Sequence, residues 1–102
     1  MNEEFFRQRL SQLRSQKGVS ARDMSLSLGQ SESYINKIEN GKAFPSMQIF
    51  FYICDYFGIS PRDFFDEDAS NPVLLNTLIG DLKTLSDNQI ANIANIVKDL
   101  KR

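Results

Sequence analysis

The stretch that most restricts this chain is Ser20 to Gly41, SARDMSLSLGQSESYINKIENG. It reads as two short helices joined by a tight turn. Ser20 is an N-cap, and Asp23 three residues on makes an acidic variant of the capping box. Ala21 to Leu28 is the first helix, with Met24 and Leu28 at i and i+4 on one face. Gly29 follows at once and supplies the left-handed backbone that a sharp turn needs. Ser31 is expected to cap a second helix, Glu32 to Asn40, whose buried pair is Ile35 and Ile38. Gly41 ends it.

Two helices of about eight residues around a glycine form the helix-turn-helix arrangement, in which the second helix lies in a DNA major groove. A closer likeness is carried by Leu13-Arg14, by Lys17-Gly18-Val19-Ser20, by the unbroken run from Leu28-Gly29 through Ser31-Glu32-Ser33-Tyr34-Ile35-Asn36-Lys37-Ile38-Glu39-Asn40-Gly41-Lys42, and by Pro45-Ser46. Over roughly residues 5 to 66 the chain resembles the phage repressor and Cro-like (Xre) helix-turn-helix family. The resemblance implies an all-α fold, a five-helix repressor-like DNA-binding bundle, and the work of a transcriptional repressor on double-stranded DNA. Two positions depart from the family's habit. Ala21 stands where a glutamine is frequent, and Glu32 stands where the reading helix often carries a polar or basic residue.

Composition narrows the alternatives. At 102 residues with 41% hydrophobic side chains, the chain can bury a core. No run approaches the roughly 20 apolar residues of a membrane span. The opening MNEEFFRQRL is acidic and then amphipathic, unlike a signal peptide, so a cytoplasmic location without membrane attachment is expected. One cysteine and no histidine leave no disulfide framework, no common metal site and no usual general base. No cofactor, no metal and no enzymatic activity are expected. Net charge is −1, but residues 5–42 hold seven basic and three acidic side chains, and residues 43–102 hold five and eight. A basic half facing phosphate and an acidic remainder suit DNA binding of modest, salt-dependent affinity.

Around the motif, Glu3 to Gln16 is a helix with the core stripe Phe6, Leu10 and Leu13. Arg7 and Arg9 read as solubilising surface charges. Met47 to Phe57, capped by Ser46, is apolar nearly all round, which demands cover on most sides. Its Cys54 reads as a small buried hydrophobe. Ser60-Pro61-Arg62-Asp63 starts a short fifth helix anchored by Phe64 and Phe65. Asp66 to Asn71 is an acidic linker. Beyond it, Val73 to Thr84 and Asp87 to Leu100 form a helical hairpin, the second helix opened by a Ser86–Gln89 capping box. The expected division is 1–66, DNA-binding, and 67–102, a dimerisation or packing extension.

Helical spacing gives Glu32, Ser33, Asn36 and Lys37 one outward face as base readers. Lys37 suits guanine, Asn36 adenine, Ser33 several bases, and Glu32 the cytosine amino group. Glu32 serves equally well as a favourable charge at a helix N-terminus. Phosphate contacts are expected from Arg22 and Gln30. The resemblance adds Asn40, Lys42 and Tyr34. Arg14 and Lys17 either contact phosphate or make surface ion pairs, and Glu39 is the expected structural partner of a base such as Arg14. One copy reads only about four or five base pairs, so a homodimer on a near-palindromic site is expected. Its interface would draw on Phe51, Leu78, Leu82, Ile93, Ile96, Val97 and Leu100. A monomer with the hairpin folded back on its own core is the alternative. A protein-interaction module, or an antitoxin-like protein using the fold as a scaffold for a protein partner, is the second functional class.

Overall fold

A computed structural model describes residues 2–101. Among them are seven helices and no strand. These are α1 (Glu3–Lys17), α2 (Ala21–Ser27), α3 (Tyr34–Glu39), α4 (Met47–Phe57), α5 (Pro61–Phe64), α6 (Pro72–Leu82) and α7 (Asp87–Leu100). Local chemistry accounts for most of the boundaries. The side chains of Asn2, Ser20, Ser46, Ser60, Asn71 and Ser86 each accept a backbone N–H at the start of a helix. Each such cap stabilises its helix by about 1 kcal/mol. At Ser86 the box is complete, with the Gln89 side chain returning to the Ser86 N–H at 3.0 Å.

Helix α3 departs from expectation. It starts at Tyr34, not Glu32, and Ser31 is not its cap. Residues 31–33 form a turn in which the Ser31 carbonyl accepts the Tyr34 N–H at 3.0 Å. Capping serines elsewhere in the chain have extended backbone, with ψ 157° at Ser20, whereas Ser33 sits at φ −97°, ψ 2° and its hydroxyl caps nothing. The donor that a local cap would have satisfied is taken by α2.

Core residues come from α1 to α5. Leu10, Leu13, Met24, Ile35, Ile38, Ile53 and Phe64 are fully enclosed. Phe6, Phe50, Phe64 and Phe65 form an aromatic cluster, with Phe50 edge-on to Phe64 at 5.2 Å between ring centres. The uncovered side of α4 expected from its composition is present: Met47, Phe51 and Tyr52 are exposed.

Arg9 is not a surface charge. It is 4% exposed, lies over the Phe5 ring at 5.0 Å, and donates from Nη2 to the Asp66 carbonyl at 2.7 Å. Burial lowers its pKa, against the opposing pull of Asp66 and Glu67. Gln12 and Gln16 both donate to the Ser70 carbonyl. These three side chains, at i, i+3 and i+7, share one side of α1 and strap down the segment expected to be a loose linker. Its polar sequence hides this, because the partners are backbone carbonyls.

Beyond the strap the chain stands off. Pro72 is the one buried residue of α6, and α7 buries none. Only the start of α6 packs on the bundle, through Pro72 and Val73, and Leu74, Leu75, Leu78 and Ile79 beyond it are exposed. The chain measures 49 × 26 × 23 Å with a radius of gyration of 16.5 Å, against about 13 Å for a compact chain of this length. The folded-back arrangement is therefore not adopted.

Candidate nucleic-acid interface

The site is built on how α2 holds α3. Ser25 is fully enclosed. Its hydroxyl donates to the Ala21 carbonyl at 2.7 Å and accepts the Ile35 N–H at 3.0 Å. That N–H lies in the first turn of α3, where no intrahelical acceptor exists. One hydroxyl thus pins the start of α3 to the middle of α2. Ile35 and Ile38 fix the inner side of α3 in the core.

Both helices of the motif close alike. The Gly29 N–H bonds to the Leu26 carbonyl and the Gln30 N–H to that of Ser25. After α3, the Gly41 N–H bonds to Ile38 and the Lys42 N–H to Lys37. These are the paired bonds of a Schellman closure, which requires the left-handed φ of 72° and 75° found at the two glycines.

Glutamate and arginine lock the far end. Arg14 donates from Nε to Glu39 Oε2 at 2.8 Å, from Nη2 to Oε1 at 3.0 Å, and from Nη1 to the Val19 carbonyl at 3.0 Å. The bidentate pair raises the Arg14 pKa, chiefly through its hydrogen bonds to Glu39. This is the partnership expected for Glu39, and it turns the Arg14 guanidinium inward. Lys17 also turns to the protein. Its Nζ reaches the Tyr56 carbonyl at 2.9 Å and sits 4.2 Å from the centre of the Tyr56 ring.

The outward face holds Glu32, Ser33, Asn36 and Lys37, all exposed. A shallow groove runs between Ala21, Arg22, Glu32, Ser33 and Asn36, so the starts of α2 and α3 share one surface. Across it Arg22 Nε meets Glu32 Oε2 at 2.6 Å, with both side chains 65% exposed. A pair this open is worth at most about 1 kcal/mol and yields readily to a stronger partner. Asn40 donates to the Asn36 side-chain oxygen at 3.0 Å, leaving the Asn36 amide N–H groups directed elsewhere. Lys37 and Lys42 have no side-chain partner among the described residues. Tyr34 is half-buried against the core, and burial pushes its phenol up, so it stays a neutral donor. Gln30, also half-buried, makes only a long contact of 3.5 Å to the Leu28 carbonyl.

The expected dimer residues lie apart from this face. Phe51, Leu78, Ile96, Val97 and Leu100 are exposed, and Leu82 and Ile93 are half-buried. Sequence reasoning passed over Ser25. Its signal was a small polar residue four after Ala21, on the face that also holds Met24 and Leu28. Among the described residues no cluster of His, Cys, Asp or Glu could hold a metal ion, and no helix is long and apolar enough to cross a membrane. Residues 8–68 match the family model of a helix-turn-helix domain. No curated protein and no solved structure matches the chain.

Proposed function

The chain belongs to the helix-turn-helix domain family, and from that premise we propose that it is a sequence-specific, DNA-binding transcriptional regulator. It acts as a cytoplasmic repressor that binds a near-palindromic site as a homodimer and carries no enzymatic activity. The observation that best supports this reading is how the cations of the basic half are used. Arg14 and Lys17 serve internal partners, whereas Lys37 and Lys42 stand unpartnered at the exposed side and end of α3. An unpaired, exposed lysine on a helix pinned at both ends is a donor whose attachment point is fixed and whose ammonium is free to take a new partner.

Lys37, Asn36, Ser33 and Glu32 read base edges. Arg22, Gln30, Tyr34, Asn40 and Lys42 face phosphate. The exposed Arg22–Glu32 pair opens on binding, freeing Arg22 for phosphate and the Glu32 carboxylate for a cytosine amino group. The apolar surfaces of α4, α6 and α7 supply the dimer contact that places two reading helices about one DNA turn apart.

Selection of duplexes from a random pool at two salt concentrations tests this. A palindromic consensus with a steep salt dependence is expected. Lys37→Ala should weaken binding about 5- to 150-fold with relaxed preference at one position per half-site, the range of one good base contact. Lys42→Ala should weaken all sequences alike and lower the salt slope by about one per copy. Arg14→Ala should lower thermal stability and leave that slope unchanged. Enrichment of nothing at low salt and high protein would overturn the proposal. It would favour an antitoxin-like or other protein-binding role, to which the self-neutralised Arg22–Glu32 pair also lends support.

A further inference from the structure

Helix α7 is amphipathic, yet the chain half-covers only Ile93 and leaves Ile90, Ile96, Val97 and Leu100 exposed. Ile90, Ile93, Val97 and Leu100 recur at steps of three and four, the a and d positions of a heptad seam. Asn88, Asn92, Asn95, Lys98 and Asp99 fall on the other side. Ile96 flanks the seam at 59% exposure, and Leu100 is 77% exposed. A helix of 14 residues that buries nothing sits at the length where helices in water are marginal. Its capping box sets where it starts but gives it no surface to pack on.

We infer that the occupant of this face is α7 of a second copy, running antiparallel across a two-fold axis. The inference rests on the dimeric reading above and adds the partner element, its direction and its register. One register satisfies every seam residue: Ile90 meets Leu100 of the second copy and Ile93 meets Val97 of the second copy, twice over by symmetry. The same register brings the two Ile96 side chains together on one flank and the two Ala94 on the other. Charge decides the direction. Asp87 stands at the start of α7 and Lys101 just past its end, both on the Ala94 flank, and the antiparallel pairing sets Asp87 against Lys101 of the second copy. A parallel pairing puts the two Asp87 on opposite flanks, gives neither Asp87 nor Lys101 an opposite charge, and leaves each Ile96 against Lys101 of the second copy. Opposed helix dipoles favour the antiparallel choice as well.

The test uses the full chain and sedimentation at low salt over a range of concentrations. Asp87→Lys and Lys101→Asp lie outside the folded core. Each alone should weaken the dimer about three- to tenfold, and the two together should restore it. Ile93→Asp should give a monomer whose thermal transition for the bundle is retained. A parallel seam would be nearly indifferent to the charge exchanges, and that result overturns the inference. A dimer untouched by Ile93→Asp also overturns it while leaving the dimeric reading standing. A wild-type chain monomeric at every concentration overturns both, and binding of single half-sites by that monomer would still uphold DNA recognition.

Discussion

A single hydroxyl joins the start of α3 to the middle of α2. Ser25 spans two helices inside the core, and its removal leaves the Ile35 N–H buried without an acceptor. Ser25→Ala should therefore cost about 1–3 kcal/mol, lowering the melting temperature by at least about 4 °C for a domain of this size. A thermal melt followed by circular dichroism measures it. A surface serine such as Ser27 changed to alanine should shift the melt far less. Cys54 shows the same economy of enclosure. Burial, helped by Asp55, pushes its thiol up to about 11 from an ordinary 9.0. The group resists ionisation when folded but ionises readily when unfolded. Its effect is nil below pH 9, and between pH 9 and about 11 it destabilises the fold progressively, by roughly 1.4 kcal/mol per pH unit. Cys54→Ala should flatten that alkaline limb in denaturant titrations, even though the variant begins somewhat less stable.

At the scale of elements, the sequence was most legible where local chemistry acts alone. Helix α4 is bounded as read, by Ser46 and Gly58, and α7 by its capping box, because cap and glycine signals need no knowledge of the rest of the chain. Ile35 and Ile38 were readable as the inner side of α3 because burial follows helical spacing. The start of α3 was not, since Ser31 offers a credible local cap and the actual acceptor comes from ten residues earlier. Arg9 misled for a related reason. An arginine after a glutamine on an amphipathic helix looks solvated, and its carbonyl partner on the chain after α5 has no sequence signature. The exposure of Glu32, Ser33, Asn36 and Lys37 followed from periodicity, while the inward turn of Lys17 toward Tyr56 could not, being a tertiary contact.

The whole molecule is a small bundle with an exposed apolar arm, and its charge is divided along the chain, between residues 5–42 and residues 43–102. The basic half surrounds α3 and the acidic remainder lies elsewhere in the chain, so a weakly acidic protein can still present a local positive field. The strap on α1 gives this shape a further meaning. Arg9, Gln12 and Gln16 tie the chain after α5 to α1, and so bear on the heading with which α6 leaves the bundle toward the proposed dimer contact. In a dimer the strap is thus a ruler: it sets the phasing of two reading helices along the duplex without approaching the DNA. Gln12→Ala with Gln16→Ala should leave the preferred half-site unchanged and broaden the tolerated spacing between half-sites, as binding to a series of operators differing by single inserted base pairs would record. Spacing preference would then evolve at α1 residues outside the proposed base-reading set, independently of what those bases are.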